Sequence, residues 1–126
     1  MIVEAPPDTR QFVLGYFDTW SKGDVGAVRA YLADDVTFVG PIKRGDTAEE
    51  YLDALGSFRK LITDGNNLIS ALYGTDEATL IYVSQTVAGP IRIAEHLRLA
   101  NGKISSIMLI LDPTPLLAFR AAQEAK

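Results

Sequence analysis

The sequence holds no cysteine and a single histidine, His96. The first absence excludes a disulfide framework, a thiol nucleophile and any zinc site built on thiolates. The second removes most histidine-rich metal sites and leaves a Ser-His-Asp triad dependent on His96 alone. No basic run could neutralise a row of phosphates, and the formal charge is −4, from 12 basic and 16 acidic side chains. Nucleic acid is therefore not an expected partner. The longest apolar run, Ile107 to Leu111, has strand length, far short of the roughly 18–20 residues that span a bilayer. The opening MIVEAPPDTR sets an acidic residue and two prolines where a secretory signal would be basic and then apolar. No membrane partner is expected, and the reading is a soluble, cytoplasmic protein. None of the ten glycines sets out a phosphate cradle, and no Asp, Glu or His cluster has metal-ligand spacing. Neither a cofactor nor a metal is expected.

What is present is enough for one core. The 126 residues are 48% hydrophobic and 22% charged, which excludes intrinsic disorder and suits a single domain. Phe12, Val13, Tyr16, Phe17 and Trp20 recur at helical spacing after Asp8, and Ser21-Lys22-Gly23 stops that helix. Asp24 reads as the cap of a second helix carrying Val25, Val28, Tyr31 and Leu32, with a turn at Ala33-Asp34-Asp35. Val36 to Val39, bounded by Gly40-Pro41, reads as a strand, and Lys43 to Asp46 as an exposed loop. Thr47-Ala-Glu-Glu50 is a capping box that opens a third helix, burying Tyr51, Leu52, Leu55 and Phe58 and closing at Asp64-Gly65-Asn66.

The remainder alternates strands and turns: Asn67 to Tyr73, Ala78 to Ala88, Ile91 to Leu99 and Ile104 to Leu111. Asn101-Gly102 between two apolar runs is a strong hairpin signal. Pro115 to Lys126 could form a C-terminal helix. Helices first and antiparallel strands last predict an α+β fold, with helices covering one face of a curved sheet.

Chemistry concentrates at one position. In Ile91 to Leu99, alternation puts Glu95 on a face with Ile91, Ile93, Leu97 and Leu99, while Arg92, Ala94, His96 and Arg98 take the wet face. A carboxylate on an aliphatic face must be paired, hydrogen-bonded or protonated, and a raised pKa would fit it for acid–base work. The alternatives are a structural hydrogen bond, or a register one residue off that would bury His96 instead. Tyr16 faces the core, where its phenol could meet a ligand oxygen or a backbone carbonyl. Trp20, one turn on, could pack in the core or border a site. Gln85, on the side of Thr79, Ile81 and Val83, either interrupts an apolar surface or is solvated. Asp34-Asp35 is read as turn chemistry.

The stretches Tyr-Phe-Asp-Thr-Trp-Ser-Lys-Gly-Asp (16 to 24), Tyr-Leu-Ala-Asp-Asp-Val-Thr-Phe (31 to 38), Gly40-Pro41, Glu95-His-Leu-Arg-Leu99 and Asn101-Gly-Lys-Ile104 resemble the nuclear transport factor 2-like superfamily. The resemblance runs from about residue 10 to Leu111, with ketosteroid isomerases and SnoaL-like polyketide cyclases as the most similar enzymes. It implies a cone-shaped α+β barrel, with three N-terminal helices packed on a curved, mostly antiparallel sheet. It further implies an apolar cavity open at one end and a homodimer formed through the sheet. Residues 1–126 would then be one such domain, with 1–8 and 114–126 as segments that hang free, complete a dimer or close the cavity mouth.

Carried over residue by residue, Tyr16 matches the helix-1 tyrosine that donates to a substrate oxyanion. Glu95 falls where the isomerases keep a protonated aspartic acid, and Trp20 falls near the pocket. Phe38, Gly40, Phe58, Val83, Gln85, Leu97 and Leu109 would complete its lining. Gly40 stands where the isomerases carry their general base, a group worth about 10² to 10⁴-fold. The last-strand aspartate of the epoxide-hydrolase branch would fall around Leu109, so that chemistry is not expected. The implied function is acid–base chemistry on a hydrophobic, carbonyl-bearing small molecule, by Glu95 and Tyr16. The alternatives are a non-catalytic binding protein with the same cavity, or a dimerisation domain.

Overall fold

The computed structural model describes residues 7–126; the expectation for segment 1–8 lies almost wholly outside them. Helix α1 (Pro7–Ser21) is followed by a 3-10 helix (Gly26–Tyr31), then β1 (Leu32–Val39), β2 (Arg44–Gly45) and α2 (Ala48–Arg59). Strands β3 (Ile62–Tyr73), β4 (Glu77–Thr86), β5 (Gly89–Ala100) and β6 (Lys103–Ile110) succeed one another as hairpins, and α3 (Thr114–Glu124) ends the chain. The six strands form one curved, unclosed sheet in the order β2-β1-β6-β5-β4-β3, antiparallel throughout except where β1 lies parallel to β6. Helices α1 and α2 pack on its concave face, enclosing a core of Val13, Phe17, Val28, Val36, Leu80 and Ile107.

Local chemistry accounts for most boundaries. Thr47 accepts from the Glu50 N–H at 3.1 Å and Glu50 reaches back to the Asp46 N–H, so the capping box starts α2 as expected. Asn101 and Gly102 both take positive φ, as a two-residue hairpin between Ala100 and Lys103 requires. Arg59 joins the two helices, donating to the carbonyls of Trp20 and Ser21 at the end of α1.

Four expectations are corrected. The second helix is a single 3-10 stretch: Asp24 accepts from the Ala27 N–H but stands one residue before the N-cap, Val25, and Leu32 already pairs with Ile104 of β6 and draws the chain into β1. Asp34-Asp35 consequently lies within a strand, at an irregularity of register between Leu32 and Thr37. Asp64-Gly65-Asn66 does not end a helix either; it is a bulge inside β3, with Gly65 at φ +83. The predicted loop at Lys43 to Asp46 contains β2, which fits because a Cβ on Gly45 would stand 2.6 Å from the Phe38 ring.

The phase of β4 is also opposite to expectation. Ala78, Leu80, Tyr82, Ser84 and Thr86 are buried, while Thr79, Ile81 and Val83 are half-buried and Gln85 is exposed. Both faces of β4 carry apolar residues, so alternation alone is ambiguous. Pairing decides it. Leu80 lies opposite Glu95 and Tyr82 opposite Ile93, and residues directly opposite share a face.

Candidate functional site

Glu95 is 1% exposed and faces inward from the middle of β5. Three phenols from three other elements surround it. Tyr82 of β4 donates to Oε1 at 2.7 Å, and Tyr16 of α1 donates to Oε2 at 2.7 Å. The Tyr16 hydroxyl also makes a short hydrogen bond with that of Tyr51 of α2. All four residues are buried. Burial pushes the Glu95 carboxyl above its usual range, although the bonds from Tyr16 and Tyr82 pull the other way. Burial, reinforced by the neighbouring carboxylate, holds all three phenols well above the ordinary tyrosine value, so none of them ionises near neutrality.

Counting hydrogens shows what this cluster can do. It contains three internal contacts: Tyr51 with Tyr16, Tyr16 with Glu95, and Tyr82 with Glu95. With Glu95 ionised, the three phenolic hydrogens fill those contacts and nothing is left over. With Glu95 protonated there is one hydrogen more than the contacts can use. The chain can then run from Glu95 to Tyr16 to Tyr51, or from Glu95 to Tyr82, leaving a phenolic O–H at the end. Tyr51 and Tyr82, but not Tyr16, border a cavity of about 410 Å³, so both ends of that chain belong to residues of its lining.

That cavity runs between α2, the sheet and α3. Of the residues expected to line it, Trp20, Phe38, Gly40, Phe58, Leu109 and Glu95 do so. Val83 and Gln85 lie on the opposite face of β4, for the pairing reason given above. Leu97 is fully buried, but it packs in the core beside Ala78 and Ile107, two residues beyond Glu95. Tyr16 reaches the cavity only through its partners. A Cβ on Gly40 would meet Lys43 and Leu109 at ordinary contact distances of 3.5 and 3.6 Å, so the wall is open there without a backbone demand for glycine.

Sequence reasoning missed Tyr51 and Tyr82 as site residues. Tyr51 carried only a helical core signal, and Tyr82 was hidden by the inverted phase of β4. Leu116, Phe119, Arg120 and Gln123 of α3, together with Lys43, also line the cavity. Trp20 packs edge-on to Phe17 and Tyr82, with centroids 5.7 and 5.8 Å apart, and its buried Nε1–H has no partner among the described residues. His96 lies off the site, 3.1 Å from Glu77. Among the described residues no group of three or more His, Cys, Asp or Glu converges as a cation site. No helix of the described residues is long and apolar enough to cross a membrane.

A family model for the SnoaL-like domain matches residues 13–107. A protein from Kribbella flavida DSM 17836 is 26% identical, with a TM-score of 0.83 over 92% of this chain and 96% of that one. An NTF2-like protein of unknown function from Cytophaga hutchinsonii ATCC 33406 is 21% identical, with a TM-score of 0.74 over 93% and 99%. A candidate ketosteroid isomerase, also from Kribbella flavida DSM 17836, is 19% identical, with a TM-score of 0.71 over 83% and 78%. The last two likenesses carry the fold alone. No curated protein matches the chain significantly.

Proposed function

The chain belongs to the SnoaL-like domain family, within the NTF2-like superfamily, and from that premise we propose that its cavity binds an apolar small molecule by a carbonyl oxygen and performs acid–base chemistry on it. The observation that supports this reading is the buried carboxyl with its three phenols at the inner end of an otherwise apolar cavity. A substrate carbonyl accepts the spare hydrogen from Tyr51 or Tyr82. As charge develops on that oxygen, Tyr51 passes its proton on, Tyr16 refills Tyr51 and Glu95 refills Tyr16. Glu95 ends ionised and the substrate oxygen becomes a hydroxyl, as in the enolisation that begins an isomerisation or an aldol-type cyclisation. The α-proton leaves to water, because Gly40 places no carboxylate on the opposite wall.

The test uses a neutral bicyclic aryl ketone, 2-acetylnaphthalene. Binding is expected to weaken about tenfold in Tyr51→Phe, the loss of one hydrogen bond. Glu95→Gln imitates the protonated acid, so it should keep the affinity but lose its decline at high pH. Deuterium uptake at the ketone's methyl group should be faster with wild type than with Glu95→Gln by about 10² or more. Affinity unchanged in Tyr51→Phe, or a decline at high pH that survives Glu95→Gln, would overturn the reading.

A second reading, non-catalytic binding, is favoured by one observation: among the described residues Glu95 is the single carboxyl group lining the cavity. Wild-type uptake no faster than buffer, with binding intact, would select it. We further propose a homodimer formed through the outer face of the sheet, supported by the exposed apolar side chains of Val39, Leu72, Met108 and Ile110 there.

A further inference from the structure

We propose that the cavity mouth is an anion site and that the ligand is an amphipathic organic acid, entering with its carbonyl end first and leaving a carboxylate between Lys43 and Arg120. The proposal rests on the cavity reading above and names the class of molecule that fits it.

The ionisable groups that line the cavity fall into two sets that differ in exposure and in charge. The inner end is the buried phenol–carboxyl cluster, and its one ionisable acid is held toward the neutral form. At the outer end the charged groups are Lys43 and Arg120, both exposed. Between them the walls are Phe38, Leu55, Phe58, Ile93, Leu109 and Leu116.

Both cations are fixed to the mouth by the backbone. The Gly40 N–H donates to the Lys43 carbonyl at 2.9 Å, which closes the turn from β1 toward β2 and holds Lys43 at the rim. In α3, Leu116, Phe119, Arg120 and Gln123 follow the three- and four-residue spacing of one helix face. The apolar pair of that face covers the cavity, and the polar pair follows one turn later. Lys43 and Arg120 come from segments far apart in sequence, yet they border one opening.

Among the described residues neither cation has an ion-pair or side-chain hydrogen-bond partner. The ion pairs among the described residues join Arg29 to Asp34 and Glu49, and Glu77 to His96 and Arg98. In a chain of net charge −4, two unpaired cations at the opening of an apolar cavity are a local reversal of sign. A guanidinium and an ammonium beside an apolar channel suit a carboxylate whose hydrocarbon body is buried.

The test compares 6-acetyl-2-naphthoic acid with its methyl ester by titration calorimetry. The two share the ring and the ketone and differ at the far end, where the ester replaces the carboxylate by a neutral group one methyl larger. The acid is expected to bind about fivefold tighter at low salt, with the advantage falling as salt is added. The double variant Lys43→Gln/Arg120→Gln, both substitutions being at exposed positions, should erase the difference between the two ligands. A preference under threefold in wild type, or one that survives the double variant, overturns the anion site. If the ester binds and Tyr51→Phe weakens it while the acid gains nothing, only the anion site fails. If neither ligand binds, the cavity reading fails and this proposal with it.

Discussion

At the residue scale the chemistry depends on where one proton sits. Glu95 is a carboxyl whose pKa is raised by burial, so the folded protein holds that proton at pH values where an unfolded carboxyl has lost it. Its contribution to stability is complete below the unfolded pKa and is lost as pH rises through the folded one. Each unit of elevation corresponds to about 1.4 kcal/mol. Thermal unfolding followed from the ordinary carboxylate range upward should therefore show wild type losing stability, and Glu95→Gln should lose less across the same window. Identical profiles for the two proteins would mean that Glu95 ionises as an exposed acid does. Tyr82→Phe should destabilise by about 1–3 kcal/mol, because it leaves Oε1 of a buried carboxyl without its donor. The same change should move the wild-type loss to still higher pH, since the Tyr82 bond favours the ionised form.

Among the secondary-structure elements, α3 has the least to do with the core and the most to do with the cavity. Leu116 is its one buried residue, yet four of its side chains line the opening. A chain ending at Asp112 should fold with the sheet intact, giving up about 2–3 kcal/mol for Leu116. Ketone binding should fall at least tenfold, read by calorimetry beside the circular dichroism of the shortened chain. Loss of the folded signal would instead make α3 part of the core. Elements are also where sequence and structure diverged most. The capping box and the Asn101-Gly102 hairpin were legible because their signals are local. The second helix was not, because the pairing of Leu32 with Ile104 lies 72 residues away in sequence and overrides a helical spacing of apolar residues.

For the whole molecule, the question is the outer face of the sheet. Leu72 is 72% exposed and Ile110 62% exposed, and with Val39 and Met108 they spread over three strands. Light scattering after size exclusion should give twice the 13.7 kDa chain mass if that face is covered by a second copy. Met108→Lys/Ile110→Lys should then yield a folded monomer. A wild type already monomeric at tens of micromolar would remove the dimer proposal while leaving the cavity untouched.

The sequence by itself determined the α+β class, the inward face of β5 and the isolation of Glu95 on it, because alternation, capping and tight turns act over a few residues. By resemblance it also named Trp20, Phe38, Gly40, Phe58 and Leu109, which line the cavity in the structure, with Val83, Gln85 and Leu97, which do not. Only the tertiary structure decided which tyrosines meet Glu95, which face of β4 turns inward and which cations stand at the mouth. Those choices depend on strand register and on contacts between residues tens of positions apart. A strand apolar on both faces carries no local mark of its phase.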